Sequence, residues 1–264
     1  IPLRATPERR VSLFFSGVNA VTDIGFDVKQ GEICSLIGPN GAGKSSLLNV
    51  VSGVYRPTSG SIVFDGEEKK FVEPGWAARR GIARTFQSIA LFKKMTVLEN
   101  LLTGQTLATK STFFEHALRI GRARADERVR RAQAEQVAAT LELVDYLDVP
   151  VGKLAYGLQK RVELGRALVG EPRLILLDEP FAGMNFEEKL ELSRLIADWN
   201  ARAGTTVLLI EHDMGIVMDL SHHVVVLDYG RKIADGSPRE VRHDPRVIDA
   251  YLGTEHDEEA AAAA

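Results

Sequence analysis

Lys44 and Ser45 close the stretch Gly38-Pro39-Asn40-Gly41-Ala42-Gly43-Lys44-Ser45, which satisfies G-x-x-x-x-G-K-S at every fixed position. The chemistry of such a stretch is phosphate binding. Glycines let the backbone curl until successive N–H groups point inward. Those of Asn40, Gly41, Ala42, Gly43, Lys44, Ser45 and Ser46 are the expected phosphate donors, helped by the positive end of the helix that follows. Lys44 is expected at the β- and γ-phosphates, and the Ser45 hydroxyl on Mg²⁺. A second constellation lies far downstream. Leu174-Ile175-Leu176-Leu177-Asp178-Glu179-Pro180 is an apolar strand that ends in two acids. Open α/β sheets bind ligands beyond the carboxyl ends of their strands, where these acids stand. Asp178 is placed to hold Mg²⁺ through water, and Glu179 to orient or deprotonate an attacking water. Together the two constellations describe hydrolysis of a nucleoside triphosphate.

The elements around them read as α/β. Ile33 to Ile37 is a buried strand entering the phosphate loop, and Ser46 to Val51 a helix leaving it. Val11–Phe15 and Asp23–Val28 read as antiparallel strands. Thr58–Gly66 reads as one strand between two turns, and Gly81–Phe86 as another short strand. Thr96-Val97-Leu98-Glu99 is a capping box opening a helix. Phe113 to Tyr146 is polar, rich in Arg and Ala, and helical by composition. Strand texture returns at Leu174–Leu177, Thr206–Ile210 and Val224–Leu227. Ser237-Pro238-Arg239-Glu240 and Asp244-Pro245 each start a short helix with proline after a cap. The expected division is one domain over residues 1–253. A core lobe (1–87 and 171–236) is split by a helical lobe (88–170), with terminal helices at 237–253. Residues 254–264, acidic and then all alanine, read as a disordered tail.

Further motifs give this organisation a family likeness. Leu154-Ala155-Tyr156-Gly157-Leu158 resembles the signature motif L-S-G-G-Q of ATP-binding cassette (ABC) ATPases. Gln87, in Arg84-Thr85-Phe86-Gln87, matches the family's glutamine loop, and His212, in Ile210-Glu211-His212-Asp213, its switch histidine. Phe15 sits where the family places an aromatic that stacks on adenine. The resemblance implies a P-loop core with an antiparallel β subdomain and an inserted helical subdomain. It implies ATP and Mg²⁺ as ligands, with Gln87 beside Ser45 and Asp178 at the metal. Glu179, His212 and Gln87 would be catalytic. Two subunits would close head to tail, so that Ala155 and Gly157 of each cap the phosphate loop of the other. Ala155 stands where the family has serine, a loss of about 0.5–1.5 kcal/mol of hydrogen bonding to the partner's ATP.

Within the family the likeness runs to ATP-binding subunits of branched-chain amino acid importers. It rests on Leu154-Ala155-Tyr156-Gly157, Ala182-Gly183-Met184-Asn185, Ile210 to Met214 and Ala250-Tyr251-Leu252-Gly253. That implies separate transmembrane permease chains, a periplasmic substrate-binding protein, and a place on the inner, cytoplasmic face of the membrane. The lipopolysaccharide-exporter ATPase is the nearest alternative, and a non-transport ABC ATPase a more distant one. Net charge agrees with the absence of a nucleic-acid partner, since −3 over 264 residues is no basic footprint. No apolar run approaches the roughly 20 residues of a membrane helix. The single cysteine, Cys34, lies in the strand before the phosphate loop and reads as a small buried apolar residue. Ile89, Leu91, Phe92 and Met95 form an apolar cluster expected at the surface, where a permease helix would dock.

Overall fold

The computed structural model describes residues 10–15, 17–85, 90–105 and 122–251. Its strands are β1 (Val11–Phe15), β2 (Val18–Ile24), β3 (Ile33–Ile37), β4 (Ile62–Phe64), β5 (Glu67–Lys69), β6 (Ile82–Arg84), β7 (Leu174–Asp178), β8 (Thr206–Ile210), β9 (His223–Asp228) and β10 (Arg231–Gly236). Its helices are α1 (Lys44–Val51), α2 (Pro74–Arg79), α3 (Val97–Thr103), α4 (Arg122–Thr140), α5 (Tyr156–Leu168), α6 (Phe186–Ala203), α7 (Met214–Leu220) and α8 (Pro238–Arg242). A last helical stretch covers 245–251.

Six strands make one sheet in the order β10-β9-β3-β8-β7-β6, parallel except for the β9–β10 pair. Strands buried on both faces read as continuous apolar runs. Their side chains still alternate between faces, and that alternation divides the core. Leu174 and Leu176 of β7 and Leu208 and Ile210 of β8 join β1, β2 and α1 on one side. Ile175, Leu177, Val207 and Leu209 join α3 to α7 on the other. On that second side Ala134, Val137, Ala138 and Leu141 recur at helical spacing and are all buried, so the otherwise polar α4 is held by one stripe. The capping boxes at Thr96/Glu99 and Ser237/Glu240 form as expected.

One strand assignment needs correction, and one strand is additional. The second N-terminal strand is Val18–Ile24, not Asp23–Val28. Val11 pairs with Ile24 while Leu13 pairs with Val21, so β2 carries an extra residue and Asp23 sits at φ 54°. This bulge breaks the period-two signal that would have marked the strand. Within 58–66 the expected strand between turns forms as Ile62–Phe64, and a further short strand follows it. Ile62–Phe64 turns through Asp65-Gly66 into Glu67–Lys69, whose three residues are all charged and give no apolar cue.

The β9–β10 ribbon is braced at the end opposite the phosphate loop. His223 Nε2 lies 2.6 Å from Asp235 Oδ1, and its Nδ1 lies 3.7 Å from Glu32. The hydrogen bond to Asp235 raises the imidazole pKa, more than burial lowers it. A raised folded-state pKa stabilises fully below the unfolded value near 6.5 and is lost as pH climbs through the folded value. The melting temperature should therefore decline across that window in the native chain, with a shallower slope in His223→Gln. Thermal unfolding of both proteins as a function of pH checks this.

Candidate functional site

The phosphate loop leaves β3 and enters α1 through backbone that only glycine accepts. Gly38 has φ 144°, and a Cβ there would lie 2.0 Å from the Leu227 carbonyl oxygen. Gly43 has φ 94° and would lie 2.3 Å from that of Ala20, so the β2 strand presses on the loop from outside. Lys44 is 8% exposed, and its Nζ donates to the carbonyls of Gly38 at 2.6 Å and Pro39 at 2.9 Å. Burial lowers its pKa, against the nearby charges of Glu179 and Asp178. The ammonium thus lies between its own loop and the carboxylates of β7. Asn40, Gly41 and Ser45 are exposed, Ala42 is buried, and Gly43 and Ser46 are half-buried.

Asp178 ends β7 and is buried. Its Oδ2 accepts from Arg84 Nη2 at 3.0 Å. Its Oδ1 is buried and has no hydrogen-bond partner among the described residues. Burial raises its pKa, opposed by Arg84. An orphaned buried carboxylate oxygen is costly unless something completes it. Among the described residues no three His, Cys, Asp or Glu side chains could hold a metal together. One carboxylate oxygen and one hydroxyl suit Mg²⁺, which keeps most of its coordination for water and phosphate.

Glu179 leaves the strand with φ 48°, a left-handed conformation that is strained for a residue with a Cβ. Its N–H donates to the Ile210 carbonyl at 3.0 Å, tying it to the end of β8. His212 stands two residues past Ile210 with its side chain 63% exposed. Glu179 and His212 therefore occupy adjacent strand ends. Glu211, whose type and place in the sequence suggest no role, is 1% exposed, and its carboxylate accepts from the N–H groups of Phe181, His212 and Asp213. It fixes the two turns that carry Glu179 and His212. Gln87 lies outside the described residues.

The aromatic and signature positions fall elsewhere. Phe15 is 44% exposed and meets Tyr55 edge-on at 5.2 Å, so it is not a core residue. Ala155 is the N-cap of α5 and makes no side-chain cap bond. Gly157 is buried, and a Cβ there would lie 2.7 Å from Glu188 Oε1 at the start of α6. Tyr156 Oη donates to the Ala182 carbonyl at 3.1 Å. Within one chain the signature thus packs on the loop that follows Glu179.

This geometry agrees with sequence comparison. The ABC transporter family profile matches residues 21–182, and a branched-chain amino acid ATP-binding cassette profile matches 231–257. The chain belongs to the ABC transporter ATPases. It is 41% identical over 243 residues to the high-affinity branched-chain amino acid transport ATP-binding protein BraF of Pseudomonas aeruginosa, covering 92% of this chain and 95% of that one. It is 41% identical over 245 residues to the corresponding protein LivG of Escherichia coli, covering 90% and 94%. Among solved structures, an ABC transporter cassette in its ADP conformation superposes with TM-score 0.80 at 30% identity, covering 93% of this chain and 97% of the other. As an ABC ATPase the chain binds and hydrolyses ATP. No described helix is long and apolar enough to cross a membrane.

One expectation about its surface is corrected. Leu91 is 9% exposed and part of the helical-side core, whereas Phe92 is 55% exposed. Met95 is half-buried, and Ile89 lies outside the described residues. Asn100 causes the split: its side chain binds the Phe92 N–H and the Phe92 and Met95 carbonyls, which turns Leu91 inward.

Proposed function

We propose that the chain is the ATP-hydrolysing subunit of an importer for branched-chain amino acids or similar small solutes. The observation that carries this reading is likeness over nine-tenths of the chain to transport ATP-binding proteins. The site supports it from below. Backbone N–H groups from Asn40 to Ser46 and the Lys44 ammonium would hold the phosphates, and Phe15 would stack on the adenine. Ser45 Oγ and Asp178 Oδ1 would hold Mg²⁺, with Gln87, and the ion supplies charge neutralisation at the phosphate oxygens when bound. Glu179 would take the proton of the attacking water, and His212 would sense the terminal phosphate. Residues 88–170 would move as a helical lobe against the core lobe. A second cassette would close head to tail, with Ala155 and Gly157 at its partner's phosphates. Separate permeases would place the pair on the inner face of the membrane and receive solute from a periplasmic binding protein.

The test is reconstitution with the permeases in vesicles, with ATP inside and binding protein outside. Leucine, isoleucine or valine should accumulate only with ATP. Brisk ATP hydrolysis without uptake of any of the three would overturn the amino-acid reading.

A cleft of about 530 Å³ beside β6 is lined by Ala78, Thr85, Phe92, Gly104, Glu163 and Arg166. Its exposed Phe92 is the aromatic anchor a permease helix would bury. Phe92→Ser should weaken association with co-expressed permeases by about tenfold or more. ATP affinity of the isolated chain should not change. Full retention of the complex on purification would defeat this docking site.

A further inference from the structure

Arg84 joins three elements that the phosphate chemistry depends on. It is the last residue of β6, and its side chain is 14% exposed. Nη1 donates to Asn49 Oδ1 at 2.6 Å and Ser52 Oγ at 2.9 Å, both at the far end of α1. Nη2 donates to Asp178 Oδ2 at 3.0 Å. A guanidinium is suited to this because its donors are fixed in one plane, so two directions are set at once. A lysine could satisfy only one of them well.

The consequence is a defined orientation for the Asp178 carboxylate. Arg84 engages Oδ2 alone. Oδ1 stays buried, with no partner among the described residues. The helix that Arg84 grips at its C-terminal end carries Ser45 at its start. The two oxygens that would meet a divalent cation, Ser45 Oγ and Asp178 Oδ1, are thereby referred to one frame through α1. Groups that orient a metal's ligands without touching the metal commonly matter almost as much as the ligands.

We infer that Arg84 is a positioning residue for magnesium: it locks Asp178 against α1 so that Oδ1 alone is offered to the cation. This rests on the reading that Asp178 holds the ion. A guanidinium also repels a divalent cation through space, so the two effects oppose, and the sign of the experiment decides which governs.

The experiment is equilibrium titration of the full chain with ATP, once with Mg²⁺ and once with EDTA. The ratio of the two dissociation constants measures what the ion adds. Arg84→Met should reduce that ratio about tenfold or more, while the EDTA value stays within about twofold of wild type. Arg84→Lys should fall between. An unchanged or larger ratio in Arg84→Met overturns the inference, whatever happens to its melting temperature. If Arg84→Met does not fold, Arg84→Gln, which can still bind Asn49 and Ser52, is read by the same criterion. Asp178→Asn separates the two claims. A ratio that collapses there but not at Arg84 overturns the positioning role alone. A ratio unmoved in both removes the magnesium assignment of Asp178 and the role of Arg84 with it.

Discussion

Glu179→Gln should hydrolyse ATP some 10²–10⁴-fold more slowly than the native chain while binding it equally well. The substitution keeps size, shape and the backbone bond from residue 179 to the Ile210 carbonyl. What it removes is the ability to accept a proton. The carboxylate stands at the end of β7 beside Asp178, and Lys44 lies close enough to feel the charge of both. Steady-state ATPase activity of the assembled transporter checks the effect. Turnover near the native rate would mean that another group takes the proton, and His212, on the neighbouring strand end, would become the first candidate.

Lys44→Ala should weaken ATP binding by about 1.5–3 kcal/mol, the worth of a hydrogen bond to a charged group. That is roughly a ten- to hundredfold rise in the dissociation constant. Lys44 has a second role within the loop itself, where it satisfies the carbonyls of Gly38 and Pro39. Its removal should also lower the melting temperature of the free protein. Isothermal titration separates the two effects, since only the first appears as lost affinity. An unchanged dissociation constant would show that the phosphates bind elsewhere.

The parts of this molecule most legible in sequence were those whose chemistry restricts residue type. The phosphate loop declares itself because Gly38 and Gly43 meet backbone oxygens too closely for any side chain. The acids of β7 stand out because an apolar strand rarely ends in two of them. The cap residues Thr96 and Ser237 are equally plain, since each side chain does one local job, whereas the Asn185 cap shows only in the fold. What stayed hidden depended on tertiary pairing. The Asp23 bulge erased the rhythm of β2, and β5 is a strand only because β4 needs a partner. Leu91 and Phe92 are neighbours of the same character, yet Asn100 sends one inward and one out. Arg84 and Glu211 passed as ordinary charged residues. Only the fold places the first across from Asp178 and the second under the turns at Phe181 and His212.

The left-handed backbone at Glu179 has an evolutionary consequence. Glutamate gives up about 1–2 kcal/mol to sit there, whereas asparagine, whose short amide can hydrogen-bond locally, tolerates the conformation better. Selection for thermal robustness alone would therefore push position 179 toward asparagine and discard the acid. A glutamate here costs stability, and the catalytic role proposed for Glu179 is the gain that would offset it. A library screened only for heat resistance should drift away from Glu179, and one screened for transport should restore it.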